Sequence, residues 1–112
     1  MDWKANMKSV MIKGTKYKIK LIKDLTKYQG CYGQCSRVDK KEIELEYSMN
    51  SELYTKTLIH ELMHGLFYET GVTQAIPLEL EEVLCENISN QMWDTFFHPK
   101  NNPKISKKKK KK

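Results

Sequence analysis

The first half of the chain alternates apolar and polar positions, which is the period of a half-buried β-strand. Residues 16–21 alternate lysine with Tyr, Ile and Leu, and residues 42–47 alternate glutamate with Ile, Leu and Tyr. Turn signals at 13–16 and 30–33 separate the apolar segments. The pattern predicts three or four short antiparallel strands up to about residue 48, with lysine and glutamate side chains paired across neighbouring strands.

The second half of the chain changes to the helical period. Apolar residues recur at helical spacing from Leu53 to Phe67, Asn50 or Ser51 can cap the N-terminus, and Gly71 provides a C-terminal stop. The pattern predicts one long helix here.

A second helix is predicted to open at Pro77 and to end before Pro99 and Pro103. Its apolar stripe consists of Leu84, Cys85, Ile88, Met92 and Phe96. Residues 99–112 are polar and lysine-rich, which is typical of a disordered tail. The predicted fold is therefore an α+β domain over residues 1–98: a small antiparallel sheet followed by two packed helices.

Length and composition restrict the class of protein. A chain of 112 residues has room for one hydrophobic core, and 39% apolar with 30% charged residues is typical of a globular domain. No apolar run is long enough to cross a bilayer, and the N-terminal residues lack the features of a signal peptide, so we expect a cytoplasmic protein. Three cysteines without a secretion signal argue against a disulfide framework.

The net charge of +6 comes from the tail. Residues 107–112 are six lysines, and residues 1–106 carry 14 basic and 14 acidic side chains. Within that body, residues 1–41 have a net charge of +8 and residues 42–98 a net charge of −10. The lysine tail can bind polyanions weakly, but the body has no basic stripe with interleaved aromatic residues, so we expect no specific nucleic-acid recognition.

Residues 60–64 read His-Glu-Leu-Met-His and lie inside the first predicted helix. Side chains four residues apart on a helix have Cβ atoms about 5–6 Å apart, so His60 and His64 can bind one metal ion with bonds of about 2.0–2.1 Å. Glu61 lies beside them, where it can accept a proton from a water molecule that the metal activates. Because apolar residues cover most of this helix, burying these three polar groups without a metal is costly. The motif predicts a zinc site with Glu61 as general base.

Catalytic zinc needs a third protein ligand beside an open coordination position. The second helix offers four glutamates: Glu79, Glu81, Glu82 and Glu86. Glu82 and Glu86 lie one turn apart on one face, so one can bind the metal while the other accepts a hydrogen bond from a histidine. Glu82 is the first choice as ligand, followed by Glu86 and then Glu81. Glu86 is the expected partner of a histidine, and Glu79 is assigned to the solvated surface.

The segment 57–66, Thr-Leu-Ile-His-Glu-Leu-Met-His-Gly-Leu, resembles the active helix of the zincin metallopeptidases. Glu82 and Glu86 resemble the second motif of the gluzincins, in which a glutamate ligand is followed four positions later by an acidic residue, more often Asp. The layout of residues 10–98, with Gly-Gln-Cys at 33–35 before a strand and the motif helix, is similar to that of small phage and prophage proteins related to the ImmA/IrrE and SprT-like metallopeptidases. The full ImmA signature, Glu-Ala-Asn-x-Phe-Ala, is not found, because residues 86–89 read Glu-Asn-Ile-Ser.

This resemblance implies a phage-encoded zinc metallopeptidase that cleaves a peptide or protein in the cytoplasm, with a possible protein partner completing the cleft. Zincins hold an extended substrate along a strand edge near the metal, and the strand directly before the motif helix is residues 42–47. Its acidic side chains would favour basic substrates. Tyr68, Tyr47 and His98 remain alternative donors to the oxyanion of the transition state.

One alternative comes from a different class of protein. The same residues can form an inactive zinc site in a module that binds a repressor or a host protein. Glu61 argues against this alternative, because zinc binding alone does not require that carboxylate.

Overall fold

The computed structural model describes residues 8–98, and its sheet contains four strands within that range. They are β1 (Ser9–Ile12), β2 (Thr15–Ile22), β3 (Gly33–Ser36) and β4 (Glu42–Glu46). Their order in the sheet is β1-β2-β4-β3. β1 pairs with β2 and β3 pairs with β4 in antiparallel fashion, whereas β2 and β4 are parallel.

The parallel central pair contradicts the prediction of a purely antiparallel sheet. After β2 the chain forms the short helix α1 (Leu25–Gln29) and crosses to the far edge of the sheet, where it forms β3. It then returns as β4, which lies between β2 and β3. Parallel neighbours need such a crossover, because a tight turn can join only antiparallel strands. A helix of five residues is too short to leave a helical period in the sequence, so α1 was not predicted.

The predicted pairing of lysine with glutamate is confirmed between β2 and β4. The register places Lys18 opposite Glu42 and Lys20 opposite Glu44. Lys20 Nζ lies 2.9 Å from Glu42 Oε2, and the hydrogen bond from Lys20 is the main reason why the pKa of Glu42 falls below its usual value. The lysine and glutamate side chains therefore form a charged outer face on the two central strands.

Glu46 departs from this outward pattern, since it is buried at the end of β4. Its carboxylate accepts a hydrogen bond from the backbone N–H of Thr26 at 2.9 Å and from the hydroxyl of Ser48 at 2.9 Å. These bonds, with the backbone N–H of Thr26 first, lower the pKa of Glu46 to about 2. Glu46 thus fixes α1 against the end of β4.

The helices of the second half are α2 (Ser51–Glu69), α3 (Val72–Ala75) and α4 (Leu78–Met92), and α4 continues as a π-helical turn over Trp93–Phe97. The two long predicted helices are confirmed as α2 and α4. The side-chain oxygen of Asn50 accepts a hydrogen bond from Leu53 N at 2.8 Å. The third helix, α3, was too short to predict from periodicity.

The ends of the long helices lie close to the predicted residues. α2 ends two residues before Gly71, whose φ of 85° lies in the left-handed region that favours glycine. Pro77 is the N-cap of α4 rather than its first helical residue. Pro99, Pro103 and the predicted disordered tail of residues 99–112 lie outside the described residues.

The core lies between the sheet and α2. Its buried members are Ile12, Tyr17, Ile19, Ile43, Leu45, Met49, Tyr54 and Leu58. α2 packs against the sheet and against α4, so the motif helix has a neighbour on each side. This arrangement confirms the α+β class. Between residues 8 and 98 no helix combines the length and the apolar character that crossing a membrane requires.

Candidate metal centre

The three motif side chains belong to the central turns of α2. His60 and His64 are one turn apart, with ring centroids separated by 5.0 Å. Their Nε2 atoms approach to 3.3 Å, and both rings are mostly buried. The two imidazoles therefore present their Nε2 atoms to one common point.

Glu82 of α4 reaches the same point. Its Oε1 lies 3.0 Å from His60 Nε2 and 2.7 Å from His64 Nε2. Ligand atoms bound to a tetrahedral zinc at 2.0–2.1 Å stand about 3.3–3.4 Å apart. The two nitrogens already have this separation, and the Glu82 oxygen lies about 0.3–0.7 Å closer to them than that, on a side chain that is 59% exposed. Two imidazole nitrogens and one carboxylate oxygen form a donor set that zinc accepts.

The opposite nitrogen of each ring faces another carboxylate. His60 Nδ1 lies 3.1 Å from Glu86 Oε1, and His64 Nδ1 lies 2.5 Å from Glu81 Oε2. Each ring therefore has a carboxylate at both nitrogens, and the tautomer of the metal-free protein depends on which carboxylate accepts the proton. A metal ion at the common point would take the Nε2 lone pairs and leave the ring protons on Nδ1, where Glu81 and Glu86 accept them.

Electrostatics keep the two carboxylates that contact His64 ionised. Burial alone would raise the pKa of Glu81, but the hydrogen bonds from His64 and Arg37 outweigh it and hold the pKa below its usual value. Burial is likewise outweighed at Glu82, where the hydrogen bond and charge of His64 and the charge of His60 lower the pKa. Both groups therefore carry the negative charge that a metal site needs.

Glu61 stands apart from this network, and only 9% of its surface is exposed. Burial raises its pKa, and the neighbouring charges of His60 and His64 oppose that rise only in part. Its carboxylate contributes to the wall of a cleft of about 370 Å³ between α2, α4 and the start of β3. The cleft is lined by Cys31, Tyr32, Gly33, Leu53, Lys56, Thr57, His60, Glu61, Glu82, Glu86, Ser89 and Asn90.

The strand edge beside this cleft belongs to β3. The predicted edge, residues 42–47, is wrong because β4 is hydrogen-bonded to β2 on one side and to β3 on the other. The crossover through α1 carries the chain past β4 and leaves β3 outermost. The Gly-Gln-Cys segment that the sequence placed before the strand is therefore itself the edge strand, and Gly33 lines the cleft.

Gly33 allows β3 to approach α2 closely. A Cβ atom there would lie 2.6 Å from Thr57 Cγ2 and 3.3 Å from Glu61 Cγ. We expect Gly33→Ala to destabilise the fold by about 1–3 kcal/mol, because a short β-branched side chain in a helix cannot move away. Chemical denaturation measures the loss. Thr57→Ser removes the methyl group in the clash, so the double variant should regain most of the stability, and an unchanged loss would contradict this contact.

The three predicted oxyanion donors lie elsewhere. Among the described residues, none of Tyr68, Tyr47 and His98 lines the cleft. The ring of Tyr68 packs under Lys41 and Arg37, while Tyr47 is 53% exposed with Lys23 over its ring. The cleft holds Tyr32, Lys56 and Asn90 instead, which the sequence did not single out.

Sequence reasoning also missed Arg37. Its guanidinium donates to the backbone oxygen of His64 at 2.8 Å, to Thr73 Oγ1 at 3.2 Å and to Glu81 Oε2 at 2.5 Å. One signal was available, because Arg37 is the only arginine among 20 basic residues. Arginine binds carboxylates and carbonyls in buried places where the more strongly hydrated lysine does so poorly.

The apolar stripe predicted for α4 is correct only in part. Cys85 is buried, but the residues buried with it on this helix are Glu81 and Ser89, and Phe96 is 57% exposed. The face of α4 that meets α2 therefore follows the spacing i, i+4, i+8 and carries a buried carboxylate. Glu82, next along the chain, lies beside this face and above the histidines.

A second group of possible ligands shares His64. Atoms of His64, Glu81 and Cys85 lie within 4.8 Å of one another. The Arg37 guanidinium already contacts the Glu81 oxygen in this group, so a metal ion there would place two cations against one carboxylate. Burial, together with Glu81, also raises the pKa of the Cys85 thiol to about 12. Of these two ligand groups, His60–His64–Glu82 is the better metal site.

Comparison of the chain with models of protein families, with curated proteins and with solved structures finds no match.

Proposed function

We propose that this protein is a zinc-dependent metallopeptidase. His60, His64 and Glu82 hold the metal, and Glu61 is the general base. The observation that supports this proposal is the convergence of two Nε2 atoms and one carboxylate oxygen on a single point, with the buried Glu61 on the same helix as both histidines. Hydrogen bonds to Glu81 and Glu86 account for the opposite nitrogens, so each histidine already has its second partner.

The residues of the chain divide the reaction between them. When bound, zinc supplies a Lewis acid that polarises the scissile carbonyl and increases the acidity of water. Glu61 accepts the proton of the attacking water and delivers it to the departing amine. Its burial suits it to this task, because a carboxylate with a raised pKa holds a proton more readily at neutral pH. The cleft beside Glu61 provides the space for the peptide bond.

The outer edge of β3 is the proposed binding place for the substrate. An edge strand presents free backbone N–H and C=O groups that can pair with an extended peptide. Gly33 begins this strand and lines the cleft with Glu61, so a peptide paired with β3 passes the site. We propose a peptide or protein substrate in the cytoplasm, where a partner protein can complete the open side of the cleft. A phage or prophage origin stays a prediction from the resemblance.

Metal content and metal-dependent cleavage test this function. Protein purified without a metal-affinity tag is expected to hold about one zinc per chain. It should cleave members of a mixed peptide library, analysed by mass spectrometry, and lose this activity on treatment with a chelator. Restoring zinc should restore cleavage, because the ligands are held by the fold rather than by the metal. A chain that takes up no zinc even after its addition would overturn the proposal.

A further inference from the structure

Arg37 connects three separate elements around His64. It follows the last residue of β3 and donates hydrogen bonds to the backbone oxygen of His64 on α2, to Thr73 on α3 and to Glu81 on α4. Its guanidinium also lies 5.6 Å from the centre of the Tyr68 ring. A single cation therefore links the proposed substrate strand to both helices of the metal site.

The buried carboxylate of Glu81 contributes little to the stability of the fold. It has no exposed surface. Its Oε2 is shared between Arg37 Nη1 and His64 Nδ1, whereas its Oε1 is buried and has no hydrogen-bond partner among the described residues. A buried carboxylate that is only half satisfied contributes little stability, and apolar replacements of such pairs are often as stable as the original. The contact with His64 gives this carboxylate a function that packing does not.

We propose that the Arg37–Glu81 pair positions His64 for metal binding and couples that position to the edge strand β3. The inference rests on the proposed metal site. Glu81 accepts the proton of His64 Nδ1 and so leaves Nε2, which lies 2.7 Å from Glu82 Oε1, to bind the metal. Arg37 fixes the orientation of Glu81 and also holds the backbone of His64 itself.

The two histidines are held unequally. His60 has Glu86 as its Nδ1 partner, and the Glu86 side chain is 64% exposed, so water can take its place. Glu81, the partner of His64, is fully buried, and no water from the bulk solvent can substitute for it without opening the interface between α2 and α4. Removal of the Arg37–Glu81 pair should therefore weaken metal binding more than removal of Glu86.

The test compares two double variants of the full chain. Arg37→Met with Glu81→Leu replaces the pair by apolar side chains of similar size. We expect a thermal unfolding midpoint equal to or above that of the wild type, together with zinc binding weakened by about 10–100-fold, measured by competition with a chromophoric chelator. The control is Lys41→Met with Glu69→Leu, which removes a comparable part-buried ion pair with a 2.6 Å contact that does not touch either histidine. It should leave zinc affinity unchanged whatever it does to stability.

A second readout does not depend on zinc. In metal-free protein, at a pH where the ring ¹⁵N chemical shifts are those of a neutral imidazole, these shifts report which nitrogen of His64 carries the proton. We expect the Nδ1–H form in the wild type and a mixture of both forms in the Arg37–Glu81 double variant. The control double variant should keep the Nδ1–H form.

The possible outcomes separate this inference from the proposed function. If the wild type binds zinc and the Arg37–Glu81 double variant binds it equally well, the positioning role is wrong and the metal site stands. If the wild type binds no zinc, the proposed function fails, and the tautomer of His64 decides the positioning role alone. If the double variant does not fold, Glu81→Gln and Glu81→Ala replace it. The glutamine retains an acceptor for His64 and should lose less zinc affinity than the alanine, while equal losses would overturn the inference.

Discussion

Replacing Glu61 with Gln is expected to abolish most peptide hydrolysis while leaving one zinc bound per chain. Glutamine has nearly the same size as glutamate but cannot accept a proton at neutral pH. A general base contributes roughly 10²–10⁴-fold to the rate, so kcat/KM should fall by this factor, equivalent to about 2.7–5.4 kcal/mol. Glu61 lies beside the converging Nε2 atoms rather than among the ligand atoms, and zinc content should therefore not change.

The matched control for this variant is Glu79→Gln. Glu79 lies in the first turn of α4, is exposed and is not among the residues that line the cleft. Glu79→Gln removes the same charge from the same acidic half of the chain as Glu61→Gln. Because Glu79 does not line the cleft, this variant should retain wild-type kcat/KM. Wild-type cleavage by Glu61→Gln would assign the proton transfer to another group. Zinc binding with no cleavage by either the wild type or the variant would favour the alternative of a zinc-containing interaction module.

The sequence predicted the elements of this fold better than their arrangement. The alternation along β2 and β4 and the helical period of α2 are local patterns, and the structure confirms all three elements. The parallel pairing of β2 with β4 depends on where α1 sends the chain, and no property of either strand encodes it. The wrong prediction that residues 42–47 form the substrate-binding edge has the same cause. Whether a strand is at the edge depends on which strands pair with it, and β4 pairs on both sides.

The candidate site divides in the same way. His60, Glu61 and His64 were predicted because both histidines lie on one helix at a spacing that fixes their geometry. The roles of the glutamates on α4 depend on how that helix is rotated about its axis. The rotation is set by contacts with α2, where Glu81 and Cys85 are buried.

Arg37 could not be assigned from sequence for a related reason. It lies between β3 and β4 with no periodic pattern around it, and each of its partners is at least 27 residues away along the chain. Arg37 is the only arginine in the sequence, but this fact predicts neither its hydrogen-bond partners nor its structural role. Long-range polar contacts of this kind appear only once the elements are packed.

Replacing Glu82 with Ala is expected to remove the zinc, whereas replacing Glu86 with Ala is expected to leave it bound. The two single variants, both on α4, therefore test which glutamate is the metal ligand. Glu82 Oε1 is the atom that contacts both Nε2 atoms, whereas Glu86 contacts Nδ1 of His60 and the side chain of Asn90. Loss of a ligand should weaken zinc binding by more than the roughly 10–100-fold typical of a residue that only orients a ligand. Glu82→Ala is therefore expected to contain almost no zinc after dialysis.

Glu86→Ala provides the matched control, because it removes a similarly exposed carboxylate one turn away on α4. Water can replace its contact with His60, so the variant should retain close to one zinc per chain with an affinity lowered by about tenfold or less. Metal analysis after dialysis and competition with a chelator measure both variants. Loss of zinc from Glu86→Ala with zinc retained in Glu82→Ala would exchange the roles of the two glutamates. Since His60 Nδ1 is the nitrogen that faces Glu86, that result would also require the His60 ring to be turned over in the metal-bound protein.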